Sequence, residues 1–405
     1  MLIRRLRPFD LLNPSVFFVW LFVVLLLFGA IINKTGIITL VEISNKTIFI
    51  LLLYLFSFII SAFFLSNVLL MKRPQIIDTD IQYDLPVRQV LLFGMLFFVV
   101  GSLFILLLYY NMGMVPLLAK DVNKARIEGR VGLGELTILG TSFLNTSLCF
   151  VIAYYDKLSG IFKIIFSLML VASIILIAGL ASRGQVASLL LFLLFVRYFL
   201  SDRYKRNLRI PMYFILYGIV GVFLLAAAEA VRAGGALSLT AFGEIYWTLS
   251  IHAYNLSRII EIIPSSNHYY YGMTFINDFL VAIPGFKSSF LGVILYKIIA
   301  TTPGASPTGL TMTITAPGEG YANFGIPGVV FHAVFLGLVS GMSYNVLSKK
   351  NTLSSRIILV LLMLSLPRIV TGGIVPTFLF ILGPKLFLSL LFIYLAKTTF
   401  LRKAE

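Results

Sequence analysis

Glu319 is the strongest candidate for acid-base chemistry in this sequence, because it lies in the segment PGEGY. The glycines on either side, Gly318 and Gly320, permit a substrate to approach closely, and the preceding proline favours an irregular turn. A carboxylate in such a turn could accept the proton of an attacking hydroxyl group. The structural alternative is a helix-start acid that accepts hydrogen bonds from backbone amides before the apolar segment at Phe324. Both interpretations stay open from the residues alone.

Histidines supply the other candidate bases. His252 is the main alternative to Glu319, with His268 behind it, whereas His332 lies about two turns inside an apolar segment, where a hydrogen-bonded packing residue is expected. Three histidines and one cysteine, Cys149 in an apolar run, are too few and too scattered to predict a metal site. The sequence also lacks a Walker A loop, a dinucleotide-binding glycine pattern, HExxH and a nucleophile elbow. We therefore expect chemistry that uses no cofactor.

Five arginines could bind a phosphate group through two parallel hydrogen bonds, which a guanidinium does better than an ammonium. They are Arg126, Arg130, Arg183, Arg232 and Arg258. Arg183 stands in the short turn SRGQ between two apolar segments, where contact with a lipid phosphate is the structural alternative. Arg232 follows Glu229 by three residues, so that an ion pair on one helical face is equally plausible. For the other three, solubility of a loop or of a helix face is the alternative.

The elements that must position these residues are membrane-spanning helices. The chain has 405 residues, of which 59% are hydrophobic and 12% charged, with a mean hydropathy of +1.00. Such a composition predicts an all-α polytopic membrane protein with about ten to twelve transmembrane helices. The predicted spans are, by number, about 15–32, 47–71, 89–111, 136–155, 161–179, 185–200, 210–230, 324–346, 357–374 and 377–396.

The basic residues predict how these helices are oriented. The net charge of +16 is concentrated in short loops and at the ends of the chain, which favours cytoplasmic termini and not nucleic-acid binding. This orientation places Glu319, His252 and the five arginines on the exported side of one membrane domain, 1–405, with a large exported loop at 229–323. Apolar runs in that loop, at 275–283 and 288–300, are short and predict interfacial or re-entrant helices. The spacing of Ile245, Leu249, His252 and Leu256 predicts a helix along the membrane face.

Exported arginines with one or two carboxylates or histidines beside an apolar scaffold suit lipids that carry a diphosphate head group. Guanidinium groups neutralise a diphosphate both when it binds and when it leaves, which favours cleavage of a sugar–phosphate bond. The carboxylate or imidazole would take the proton from the attacking sugar hydroxyl.

The SRGQ turn, the segment EAVRAGG that ends a span, and above all GEGYANFGIPGVVFHAVFLG resemble the Wzy-type O-antigen polymerases, which join oligosaccharide repeat units. As an architecture the resemblance covers the whole chain. As motifs it covers Arg183 with Gly184, Arg232, and the residues from Glu319 to Gly325, which include Tyr321 and Asn323 as candidate substrate contacts.

The resemblance implies a metal-independent integral-membrane glycosyltransferase with a GT-C-like architecture in the bacterial inner membrane. On the periplasmic face it would transfer the growing glycan from undecaprenyl diphosphate to the terminal sugar of an incoming lipid-linked repeat unit. Its expected partners are undecaprenyl-diphosphate-linked oligosaccharides, the bilayer, a chain-length regulator and a flippase. The related O-antigen ligases use a loop histidine, and because no histidine here stands in such a motif, Glu319 and His252 both remain candidate bases.

Two other functions fit the same architecture. An O-antigen ligase would differ mainly in its acceptor. A flippase for the same lipid would show paired broken helices in two related halves and charges near the middle of the membrane, whereas the charges here gather on one face.

Overall fold

The computed structural model describes the helices of the chain with gaps between them. The described residues are 13–34, 43–69, 83–119, 133–180, 239–266, 268–281, 313–347 and 352–401, together with the single residues 125, 185, 189, 193, 195, 196 and 294.

Ten helices organise the described residues. They are α1 (Pro14–Phe22, continued by Val23–Leu27 and Phe28–Lys34), α2 (Asn45–Leu69), α3 (Val87–Met112), α4 (Gly134–Ala153), α5 (Gly160–Gly179), α6 (Leu239–Ser266), α7 (Met273–Val281), α8 (Ala316–Leu347), α9 (Leu353–Gly372) and α10 (Ile374–Thr377, continued by Phe378–Leu382 and Gly383–Leu401). All except α6 and α7 are long and apolar enough to cross a membrane, which makes eight candidate spans among the described residues.

Each of these eight helices overlaps one of the predicted spans, which confirms an all-α polytopic membrane protein. Apart from single residues, the predicted spans at 185–200 and 210–230 lie outside the described residues. The short helix α7 covers 275–281 of the apolar run at 275–283, and the run at 288–300 lies outside the described residues except for residue 294.

Local sequence signals set the ends of several helices. Asn13 precedes α1 and accepts a hydrogen bond from the Ser15 amide (2.9 Å), and Pro14 occupies the first helical position, where a missing amide hydrogen costs nothing. Ser44 caps α2 in the same way, by accepting from the Thr47 amide (3.2 Å). Gly113 ends α3 with a left-handed φ of 66°, as glycine at the end of a helix commonly does.

The contacts divide the chain into two compact units. The first comprises Met1–Ile76, Val222–Val346 and Ser365–Leu379. Its core packs aromatic residues of α1 against α2: Phe18 stacks on Phe58 with ring centroids 4.1 Å apart, and Phe22 stacks on Tyr54 at 5.3 Å. Helix α6 adds an apolar stripe of Ala253, Leu256, Ile259, Ile260 and Ile263. A helix therefore exists in this region, as predicted; of the predicted stripe, Leu256 is buried in the core and His252 is partly buried, while the position of the helix along the membrane face stays a prediction.

Helices α2 and α8 of the first unit pack closely and run parallel. A Cβ atom added at Gly337 would lie 2.8 Å from the carbonyl oxygen of Phe58, and at Gly341 it would contact Ala62 and Ser66. Further along both helices, Asn345 donates to Asn67 (3.0 Å). Small residues allow such close contact between membrane helices, and this contact fixes the register of α2 against α8.

The second unit comprises Ile77–Gly221, Leu347–Leu364 and Phe380–Glu405. Helices α3 and α4 approach closely at Gly101 and Gly140, where a Cβ atom added at Gly101 would lie 3.0 Å from the carbonyl oxygen of Gly140. Asp84 accepts from the Ser354 amide (3.3 Å), near the start of α9, and pairs with Lys397 (3.7 Å), near the end of α10. Because the start of α9 and the end of α10 both contact Asp84, the two helices are antiparallel.

Candidate functional site

The site surrounding Glu319 is created by a reversal inside α8. Phe324 (φ −139°, ψ 15°) and Gly325 (φ 65°, ψ −144°) are not helical, so that the helix consists of a short part before them and a long part after them. A Cβ atom added at Gly320 would lie 2.7 Å from the carbonyl oxygen of Gly328. In a continuous helix, residues eight apart would be separated by about 12 Å along the axis. The short part therefore folds back against the long part.

Glu319 lies in the short part of α8, and its side chain is fully buried. Its Oε2 atom accepts hydrogen bonds from His332 Nε2 (3.0 Å) and from the backbone amide of Ile374 (2.7 Å), the first residue of α10. Its Oε1 atom is buried and has no hydrogen-bond partner among the described residues. The structure thus gives Glu319 a helix-start role, but at a different helix from the one that the sequence suggested.

His332 connects Glu319 to a third helix. Its Nδ1 atom lies 3.0 Å from the hydroxyl oxygen of Tyr54, which is fully buried in α2, and His332 itself is 4% exposed. The prediction that His332 is a hydrogen-bonded residue inside a span is therefore confirmed. Its partner Glu319 was not predicted, because the two residues are 13 positions apart and would be separated by about 20 Å in a continuous helix.

Two unusual backbone conformations flank the Glu319 carboxylate. Thr315, whose φ of 62° is rare for a β-branched residue, accepts from the Glu319 amide (2.9 Å) and donates its own amide to Thr371 (3.4 Å). Gly373, with a φ of 91°, separates α9 from α10, and a Cβ atom added there would lie 3.0 Å from the Glu319 carboxyl group. The segment 315–319 is thus tied to the segment 371–374 by both backbone and side-chain hydrogen bonds.

The predicted substrate contacts, Tyr321 and Asn323, are buried beside this reversal. Asn323 Oδ1 accepts from the Gly272 amide (3.0 Å), and Asn323 Nδ2 donates to the Glu319 carbonyl (2.9 Å) and to Thr274 Oγ1 (2.6 Å). The ring of Tyr321 lies edge-on to Tyr269, with centroids 6.0 Å apart. In this structure both residues hold the turn at 268–274 against α8, and their binding of substrate stays a prediction.

His252 has more open surroundings on α6. Its side chain is only partly buried, and its Nδ1 atom lies 3.2 Å from Thr313 Oγ1, which also accepts from Asn255 Nδ2 (2.6 Å). A hydroxyl oxygen has two lone pairs, so it can accept from both residues, and the Nε2 lone pair of His252 is then available. No described residue bonds Nε2. Burial lowers the pKa of His252 from 6.5 to about 4, which keeps the imidazole neutral at pH 7.

Arg258 lies on the same helix as His252 and Asn255, but because it is six residues from His252 its side chain is turned about 120° from His252 around the axis of α6. Its guanidinium pairs with Glu261 at 2.8 Å, with side chains 29% and 48% exposed. The remaining predicted phosphate ligands lie outside the described residues: Arg126, Arg130, Arg183 and Arg232. His268 is exposed, and the structure brings it into no hydrogen bond with Glu319 or His252.

The described residues contain no cluster of three or more histidine, cysteine, aspartate or glutamate side chains that could hold a metal ion. The residues that sequence reasoning missed are the polar partners: Tyr54, Thr313, Asn255 and Ile374. Tyr54 and Ile374 lie in long apolar segments that give no sign of a polar role. Thr313 had a signal, since it belongs to the proline- and glycine-rich run that precedes Glu319.

A family model described as "Putative O-antigen polymerase" matches residues 11–382, which is nearly the whole chain. Searches of curated proteins and of solved structures found no match. The matched range contains every described residue of the two sites, and the eight apolar helices agree with the membrane location of this family. The chain belongs to the O-antigen polymerase family.

Proposed function

We propose that this protein polymerises oligosaccharide repeat units on the periplasmic face of the bacterial inner membrane. The terminal sugar of an incoming lipid-linked repeat unit supplies a hydroxyl oxygen, which attacks the anomeric carbon of the growing glycan. A glycosidic bond forms as the bond from that carbon to the diphosphate breaks, and undecaprenyl diphosphate leaves. The proton of the hydroxyl goes to a base on the protein. The family match over residues 11–382 is the observation that carries this proposal.

The geometry favours His252 over Glu319 as the base. A general base must offer a free lone pair within hydrogen-bond reach of the substrate. His252 is neutral and partly accessible, and no described residue bonds its Nε2 atom. Glu319 is enclosed, and Oε2 already accepts two hydrogen bonds. Glu319, the strongest candidate from the sequence alone, therefore becomes the second candidate for the base.

The arginines are proposed to bind the diphosphate and to stabilise the charge that it carries as it leaves. Arg258 is the described member of this set, and it lies about 9 Å along the helix axis from His252, since the two residues are six apart. Arg183 and Arg232 are the principal members, with Arg126 and Arg130 as further ligands. Because guanidinium groups replace a divalent cation in this role, we expect the reaction to proceed without added metal.

The test is reconstitution of the purified protein in liposomes with undecaprenyl-diphosphate-linked repeat units. The expected result is a ladder of glycan lengths on the lipid, formed equally well in the presence of EDTA. Arg183→Ala and Arg232→Ala should abolish the ladder at unchanged protein level, because each removes a charge that the departing diphosphate requires.

Other outcomes identify the alternatives. Movement of lipid-linked units across the bilayer at constant glycan length would identify a flippase. Transfer of finished glycan to a lipid A core, without elongation, would identify a ligase.

A further inference from the structure

A chain of hydrogen bonds crosses the first unit from Tyr54 through His332 to Glu319 and the Ile374 amide. The three successive distances are 3.0, 3.0 and 2.7 Å, and the side chains are 0%, 4% and 0% exposed. Buried polar groups are costly unless they are bonded, so this chain is not an incidental contact. It joins α2, both parts of α8 and the first residue of α10.

The direction of each bond follows from the chemistry of its ends. If Glu319 is ionised, its carboxylate can only accept, so His332 Nε2 donates to Glu319 Oε2. With the imidazole neutral, Nδ1 then accepts from the Tyr54 hydroxyl. Tyr54 is held in place by stacking on Phe22, with the two rings 3° from parallel. The aromatic core of α1 and α2 therefore fixes the imidazole, and the imidazole fixes the carboxylate.

The carboxylate in turn holds the 371–374 reversal, the segment where the antiparallel helices α9 and α10 join, against the segment 315–319. Thr315, four residues before Glu319, has a φ of 62°, and a β-branched residue keeps such a conformation only where surrounding contacts maintain it, whereas glycine adopts the φ of 91° at Gly373 without a steric clash. The Ile374 amide is one of the unsatisfied donors at the start of α10, and Glu319 satisfies it. The contact also places a negative charge at the positive end of a helix dipole.

We propose that Glu319 is a positioning residue, and that Tyr54 and His332 act through it to hold the 371–374 reversal against the turn that carries Thr313, the partner of His252. This inference rests on the proposed function, because it assigns these residues a part in the same reaction. It differs from a catalytic role for Glu319 in that no substrate atom needs to reach the carboxylate.

Two substitutions of His332 remove its two hydrogen bonds one at a time. The side-chain amide of Gln reaches the place of Nε2, so His332→Gln keeps the donor to Glu319 and loses Tyr54. The amide of Asn reaches only the place of Nδ1, so His332→Asn keeps Tyr54 and leaves Glu319 without its donor. We expect kcat of His332→Gln within about tenfold of wild type, as for one lost hydrogen bond. We expect kcat of His332→Asn to fall about a hundredfold, as for a misplaced active site, with KM unchanged in both variants.

Tyr54→Phe is the matched control, because it removes the same bond as His332→Gln while its ring still stacks on Phe22. It should reproduce the kcat of His332→Gln. Glu319→Gln tests the carboxylate itself: its amide oxygen can accept from both His332 and Ile374, so we expect it to retain at least about a tenth of wild-type kcat. Loss of a general base would instead cost about 10²- to 10⁴-fold.

Hydrogen–deuterium exchange of the peptide around 369–377 is measured alongside, and it requires no activity. Faster exchange in His332→Asn than in His332→Gln supports the proposal, and equal exchange with equal kcat overturns it. An inactive Glu319→Gln with wild-type exchange also overturns it, since the carboxylate would then act on substrate. If the wild-type protein makes no polymer, the proposed function fails. The exchange comparison still decides whether the hydrogen bonds from Tyr54 to Glu319 hold the 371–374 reversal.

Discussion

Two histidines of the same compact unit, His252 and His332, have opposite surroundings. His332 is 4% exposed and uses both ring nitrogens, one with Tyr54 and one with Glu319. His252 is partly exposed and is bonded through Nδ1 to Thr313, with no described partner at Nε2. An imidazole that is hydrogen-bonded at both nitrogens holds its two partners in place relative to each other. An imidazole that is bonded at one nitrogen can offer the other nitrogen to a substrate. The same residue type thus serves two purposes, and the number of bonded nitrogens distinguishes them.

The largest effect on the polymerisation rate should come from substitution of His252. His252→Asn keeps an amide near the place of Nδ1, which can still bond Thr313, but removes Nε2. We expect the polymerisation rate to fall by about 10²-fold or more, the usual contribution of a general base, while the thermal midpoint stays near that of wild type. The rate is measured in liposomes with lipid-linked repeat units. Wild-type turnover by His252→Asn would eliminate His252 as the base.

The pH dependence provides a second check on His252. Burial lowers the pKa of this imidazole to about 4 from an ordinary value of 6.5, so the unfolded chain binds a proton more readily than the folded protein. The stability that the neutral ring contributes is fully present above pH 6.5 and is lost as the pH falls toward about 4. Thermal midpoints measured across this range should fall more steeply for the wild type than for His252→Asn. Parallel curves would contradict the burial of His252.

The enclosed surroundings of Glu319 should not tolerate an additional side-chain atom, and substitutions of Gly372 and Gly373 test this. At Gly373 the φ of 91° and the 3.0 Å distance from an added Cβ atom to the Glu319 carboxyl group predict that alanine is strained. We expect Gly373→Ala to lower the free energy of unfolding by about 1–3 kcal/mol. At Gly372 an added Cβ atom meets nothing within 4 Å, so Gly372→Ala is the matched control and should be neutral or slightly stabilising.

Thermal or denaturant unfolding in detergent measures both glycine variants. Equal stability of the two variants would show that the Glu319 carboxylate has room to move. Glu319 would then not be enclosed in the way that distinguishes it from His252.

The sequence predicted the spans well, because length and hydropathy suffice to identify a helix that crosses a membrane. The direction of two helices agrees with the predicted number of spans between them. Helices α2 and α8 run parallel, which agrees with an odd number of crossings between them. Three are described, α3 to α5, and the two spans predicted at 185–200 and 210–230 bring the number to five.

The pairing of Glu319 with His332 could not be predicted by the same means. Hydropathy treats the run from Phe324 onward as one segment and gives no reason for the chain to fold back. The signal was present in Gly325 followed by Pro327, since glycine commonly ends a helix and proline commonly begins one. Tyr54 is 278 residues from His332, and a single sequence carries no information on such a contact.

The smallest effect concerns Arg258, which lies on the same helix as His252. Its ion pair with Glu261 joins residues three apart on one helix, and the two side chains are 29% and 48% exposed, so Arg258→Ala should change the free energy of unfolding by less than about 0.5 kcal/mol. A diphosphate ligand at this position would instead be detected in KM. Arg258→Ala should raise KM for the lipid diphosphate by about three- to tenfold, and Glu261→Ala should leave it equal or lower, because the competing carboxylate is gone. If neither variant changes KM, Arg258 is a surface ion pair, and the diphosphate must be bound entirely by the other arginines.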